Sequence, residues 1–74
     1  FEMYPNPFDD RIAIKTINNH SMILTLYDIA SRVVFQKQIA NGDEMAVAHL
    51  ESGIYLYTIV QSGKMVKTGK LVKR

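Results

Sequence analysis

Apolar residues in this chain recur at every second position, and turn-forming residues interrupt them roughly every 8 to 12 residues, as in a protein of short antiparallel strands. Ile12, Ile14 and Thr16 alternate with Ala13, Lys15 and Ile17, and Asn18-Asn19-His20-Ser21 then breaks the pattern with side chains that favour turns. Met22 to Ile29 sets Met22, Leu24 and Leu26 on one face and Ile23, Thr25 and Tyr27 on the other, apolar enough on both sides for a central strand. Asp28 to Arg32 turns the chain into a half-buried pattern over Val33 to Ile39. That run stops at Asn41-Gly42, which predicts a hairpin through a type I′ turn with positive φ at both positions. Met45 to Leu50 reads as a short strand, Glu51-Ser52-Gly53 as a corner, Ile54 to Val60 as a strand closed by Ser62-Gly63, and Met65 to Lys73 as the last strand. Asn41-Gly42, Gly53, Gly63 and Gly69 interrupt every window long enough for a helix. Six to seven strands follow, and two sheets can bury apolar faces that one sheet could not, so the expected fold is an all-β, immunoglobulin-like antiparallel β-sandwich.

Composition narrows the picture. At 74 residues the chain suits one domain spanning 1–74, and its 47% hydrophobic content lies far from disordered compositions. It has no cysteine, which removes disulfides, thiolate nucleophiles and Cys-type metal sites. Nine Lys and Arg against seven Asp and Glu give +2, too balanced for nucleic acid to be the expected partner. Five of the nine basic residues, Lys64, Lys67, Lys70, Lys73 and Arg74, fall in the last eleven positions. No apolar run approaches the ~20 residues of a membrane span, so direct membrane insertion is not expected. The chain opens on Phe1 rather than Met, so it is expected to be a piece of a longer protein, with an exported parent left open.

Candidate chemistry is sparse. His20 and His49 lie in different segments with no nucleophile and acid beside them, and each serine reads as a turn residue, so no catalytic residue, cofactor or enzyme activity is assigned. Asp9-Asp10 and Asp43-Glu44 would meet around a calcium ion only if their loops converge, and the ligand spacing of a calcium loop is absent. Asn19-His20-Ser21 matches the glycosylation pattern, which is short enough to arise by chance.

Tyr4-Pro5-Asn6-Pro7 is more informative. Two prolines fix φ and push Tyr4 and Asn6 towards extended backbone, which predicts a stiff, strand-like entry laying Tyr4 across the end of the core, with Asp9 or Asp10 capping the next turn. At the Leu50 to Tyr55 corner, Gly53 takes a backbone angle other residues resist and the Tyr55 hydroxyl is expected on nearby backbone. From Lys64 to Lys73 a lysine stands at every third position, so a regular strand turns successive lysines to opposite faces. Gly69 is a candidate bulge that shifts the register. Edge lysines serve either to discourage strand pairing or to dock a partner.

Taken in order, Tyr4-Pro5-Asn6-Pro7 with Asp10, Leu26-Tyr27-Asp28-Ile29 with Arg32-Val33-Val34, Leu50, Gly53-Ile54-Tyr55 and Gly69-Lys70-Leu71-Val72-Lys73 resemble the type A C-terminal sorting domains of the type IX (Por) secretion system of Bacteroidetes-type bacteria. Ser31 departs from the glycine usual in that family's turn. The resemblance implies a non-catalytic signal at the C-terminus of a secreted cargo, which passes through the periplasm to the cell surface or medium. It also implies recognition by the translocon and an outer-membrane shuttle protein, and removal by a sortase-like cysteine peptidase. The sorting residues would be Tyr4, Pro5, Asn6, Pro7, Gly53, Tyr55, Gly69, Lys70, Leu71, Val72, Lys73 and Arg74. A homodimer of the isolated domain is left open. The competing reading is an accessory sandwich of a secreted hydrolase or adhesin, binding carbohydrate or acting as a spacer. Phe8, Phe35, Tyr55 and Tyr57 weigh against it, since each sits where a core or corner can use it.

Overall fold

Seven strands realise the period-two pattern: β1 (Glu2–Tyr4), β2 (Arg11–Lys15), β3 (Met22–Tyr27), β4 (Val33–Ile39), β5 (Glu44–Ala46), β6 (Gly53–Gln61) and β7 (Lys64–Lys73). The computed structural model describes residues 2–15 and 21–74. The expected strand end at Thr16 and Ile17, the turn residues Asn18 and Asn19, and His20 with its glycosylation pattern lie outside the described residues.

β1, β2 and β5 form a three-stranded sheet in the order β1-β2-β5, and the other four form a second sheet in the order β4-β3-β6-β7. All pairings between these strands are antiparallel. Two such layers make the immunoglobulin-like sandwich the pattern called for. β3 is central, between β4 and β6, and its two apolar faces are explained by that position. Met22, Leu24 and Leu26 point into the core, while outward-facing Thr25 is covered as its hydroxyl accepts a 3.0 Å bond from Gln36. Ile12, Ile14 and Met45 from the small sheet meet Met22, Leu24, Leu26, Ile39, Tyr55, Tyr57, Ile59 and Leu71 from the large one.

Several local expectations change. Asn41-Gly42 does not close a hairpin, because β4 and β5 belong to different sheets and the turn carries the chain between them. Gly42 has φ 89°, whereas Ser31 and Ser62 are the only described non-glycine residues at positive φ. With Asp43 N–H donating to Ala40 O at 3.1 Å, positive φ at the second central residue alone is the type II pattern. The type I′ geometry appears instead at Ser62-Gly63, φ 53° and 78°, joining β6 to β7. The strand expected over Met45 to Leu50 is only Glu44–Ala46, and Val47 then enters the core as the chain turns.

The β3–β4 turn explains Ser31. Ser31 N–H donates to Asp28 O, and Ser31 itself takes the left-handed conformation, φ 64°, that suits glycine. Asp28 supports the turn by accepting Ala30 N–H at 2.9 Å and Arg32 N–H at 3.0 Å and by pairing with the Arg32 side chain at 2.9 Å. The departure from glycine therefore leaves the turn geometry intact.

Candidate functional site

The entry segment and the last strand, 64 residues apart, meet at one edge of the large sheet. β7 is an edge strand, and along its final residues the backbone groups that face away from β6 are already satisfied. Asn6 Nδ2 donates to Lys70 O at 3.2 Å, and Asn6 Oδ1 accepts Val72 N–H at 3.0 Å. One carboxamide thus pairs with β7 as a neighbouring peptide unit would. Phe8 N–H then donates to Val72 O at 2.8 Å, and Arg74 N–H to Phe8 O at 2.9 Å, a short parallel bridge centred on Phe8 and Lys73.

The expected strand-like entry is realised only as far as Tyr4. Residues 6 and 7 bend, and the Tyr4–Pro5 and Asn6–Pro7 bonds are cis. Tyr4 is 44% exposed and does not lie across the core; the fully buried Phe8 fills that end, its ring 6.5 Å from Tyr55. The reason is reach: the backbone bonds of Phe8 to β7 draw its side chain between the sheets, whereas Tyr4 pairs with Ala13 at the rim. Asp9 lies 3.9 Å from the Arg74 guanidinium, both side chains well exposed. The sequence placed Phe8 where a core could use it but gave no sign of its backbone bonds to β7, which make it part of the site.

The corner residues belong to the same end of the sandwich. Gly53 pairs with Lys73 and has φ 146°, a conformation that L side chains rarely adopt. Tyr55 pairs with Leu71 and donates its hydroxyl to Glu51 O at 2.6 Å, the corner bond expected from sequence. Burial, then the Glu51 carboxylate, raise the Tyr55 pKa above its ordinary value. Leu71 is a core residue, whereas Lys70 and Arg74 are exposed and Val72 and Lys73 half-buried.

Gly69 is not a bulge. It pairs in register with Tyr57, whose ring lies over it, and a Cβ at position 69 would stand 2.7 Å from ring atoms. The bulge is at Val66, the extra residue between the Ile59–Lys67 and Val60–Met65 pairs. Cross-strand partners share a face, so Lys64 opposite Gln61 and Lys67 opposite Ile59 both stand on the core side of the sheet, beyond the covered core, while Lys70 opposite Leu56 stands on the outer side. The four strands of the large sheet carry Lys37, Lys64, Lys67, Lys70 and Lys73 and no Asp or Glu.

The acidic residues do not converge. Asp43 Oδ2 accepts Ala40 N–H at 2.8 Å and Glu44 pairs with Arg11 at 3.3 Å. Among the described residues no group of three or more His, Cys, Asp or Glu is placed to hold a metal ion, and His49 is exposed, 6.3 Å from the Phe35 ring. The groove beside the β3–β4 turn is lined by Asp28, Arg32, Glu51 and Tyr55, which spend polar groups on one another or on the turn itself. No helix among the described residues is long and apolar enough to cross a membrane.

A seven-stranded sandwich with its polar groups engaged in turns, Phe8, Tyr55 and Tyr57 in its core and a clasped, lysine-rich last strand belongs to the class of small domains that present a surface. The model of the secretion system C-terminal sorting domain matches residues 2–74, and the chain belongs to that family. It is the C-terminal sorting signal of the type IX secretion system, which directs its bearer to the cell surface or the extracellular space through interaction with that machinery. Such a signal is not catalytic in itself. No curated protein matches the chain. The match supports the sorting reading and not the accessory module.

Proposed function

We propose that the machinery reads this domain as a folded module, a single domain at the C-terminal end of a larger secreted cargo, and that the clasp is its address. Tyr4, Pro5, Asn6 and Pro7 shape the strap; Gly53, Tyr55, Gly69 and Leu71 hold β7 in place; Lys70, Val72, Lys73 and Arg74 form the surface beside it. The receiver in this reading is an outer-membrane shuttle protein of the translocon, and a sortase-like cysteine peptidase then detaches the cargo. The observation that supports it is the pair of hydrogen bonds between Asn6 and β7, one donated to Lys70 O and one accepted from Val72 N–H, which makes the two ends of the family's residue pattern one physical unit.

Deleting Leu71 to Arg74 from a reporter fusion is expected to abolish export, but it also removes a buried core side chain and the bonds to Phe8. The sharper experiment changes exposed charge alone. A reporter fused ahead of Lys70→Gln/Arg74→Gln should leave the cell poorly in a host with the type IX machinery, while the isolated variant melts within about 2 °C of the parent, a surface-sized effect. Undiminished export of that variant would show that the clasp surface is not the address.

A further inference from the structure

The clasp divides the edge of β7 into two halves. Lys70 O, Val72 N–H, Val72 O and Arg74 N–H are taken by Asn6 and Phe8. In a strand both backbone groups of a residue point to the same side and successive residues alternate. The N–H and C=O of Thr68 therefore point outward as well, as does the N–H of Lys70, and no strand covers them. Residues 64–68 are exposed throughout, with Met65 61% and Val66 49% exposed. The edge available to a partner is thus the upstream half, not the terminal residues that sequence alone pointed to.

We propose that the β7 edge from Lys64 to Lys70 accepts an extended acidic segment of another protein as an added strand, with two carboxylates of that segment meeting Lys64 and Lys67. Three observations converge on this occupant. The bulge at Val66 places two lysines that are three residues apart on one face, two strand positions apart along β6, from Ile59 to Gln61. Acidic residues at i and i+2 of a regular strand also share one face. The large sheet has no carboxylate of its own to neutralise these lysines, so a second copy of β7 would bring lysine against lysine, and an acidic strand removes that repulsion. The same charges that keep the edge from pairing with itself select what it can pair with.

The place of this partner within the export machinery rests on the sorting reading, whereas the binding itself is a property of the isolated chain. The test uses residues 1–74 and a ten-residue peptide of alternating Thr and Val carrying glutamates at positions i and i+2, with the diglutamine peptide as control. Amide hydrogen exchange is followed by NMR. Saturating glutamate peptide should slow exchange of the Thr68 and Lys70 amides at least about tenfold, the signature of new backbone pairing. The control peptide should not, and added salt should weaken the effect. Lys64→Glu/Lys67→Glu, with an unchanged melt, should lose the protection. Protection confined to Val72 and Arg74 would mean that the peptide displaces the clasp and would overturn the proposal; so would no protection at all, or equal protection by both peptides. Export of the reporter fusion is scored separately: no peptide binding by the parent chain together with normal export of its fusion removes this proposal and leaves the sorting role standing.

Discussion

Replacing Gly69 with alanine adds one methyl group directly against the ring of Tyr57. The new Cβ would lie 2.7 Å from Cε2 and the hydroxyl oxygen and 2.8 Å from Cζ, closer than real Cβ contacts come. Tyr57 is 7% exposed, so its ring cannot swing clear without giving up burial. Overpacking of this kind costs about 1–3 kcal/mol. Alanine recovers about 0.5–1 kcal/mol of the entropy that glycine loses in a strand, so the middles of the two ranges leave a net loss of about 1.25 kcal/mol. At about 4–8 °C per kcal/mol in a domain of this size, the melting midpoint should fall by about 5–10 °C. The assay is thermal denaturation by circular dichroism of four proteins: parent, Gly69→Ala, Tyr57→Leu and the double variant. With leucine at 57 the clash is gone, and Gly69→Ala should become neutral or stabilising. An unchanged or higher midpoint for Gly69→Ala alone, or the same loss in both backgrounds, would refute the argument that the ring is what demands glycine.

Other expectations follow from the turns and the clasp. Asn6→Ala removes two bonds to β7, worth about 1–2 kcal/mol together, and hydrogen exchange should show the Val72 amide opening faster than the core amides of β3. Ser31→Gly relieves a left-handed residue, a strain of about 1–2 kcal/mol against about 0.5–1 kcal/mol of added chain entropy, so urea denaturation should give a small net stabilisation. Asp28 is held below the ordinary carboxylate range, chiefly by the Arg32 backbone N–H, with the Arg32 side chain and the Ala30 N–H adding to it. A depressed folded pKa contributes stability that is complete above the unfolded value near ~3.9 and is lost as pH falls through the lower folded value. The parent should therefore lose stability more steeply than Asp28→Asn on acidification below about pH 4, read from paired pH titrations of the melting midpoint.

Much of the architecture was legible because burial leaves a periodic mark. The two-sided apolar run of Met22 to Tyr27 identified the central strand, and Gly53 with Tyr55 identified a corner whose geometry is local to five residues. What could not be read was set by pairing between distant segments. Asn41-Gly42 looks like the better hairpin turn, yet whether a turn is a hairpin depends on the strands it joins, and β5 pairs with β2 while Gly42 N–H donates to Ile14 O. Ser62-Gly63 has the weaker local signature and the true hairpin, because β6 and β7 pair over their whole length. Gly69 invites a bulge until its register opposite Tyr57 is known, and Val66 carries no mark that it is the extra residue. For the site, both halves of the clasp stood out in the sequence, but their union through Asn6, and the burial of Phe8 rather than Tyr4, required the fold.

The bridge between Phe8 and Lys73 also sets an order of events during synthesis. Residues near the start of the domain wait for partners from its final strand, so the sandwich cannot close before residues 70 to 74 have been made. A polypeptide that stops short of residues 70 to 74 offers neither Leu71 to the interior nor Val72 and Arg74 to the strap. The finished shape therefore certifies that the ribosome has translated through the final strand.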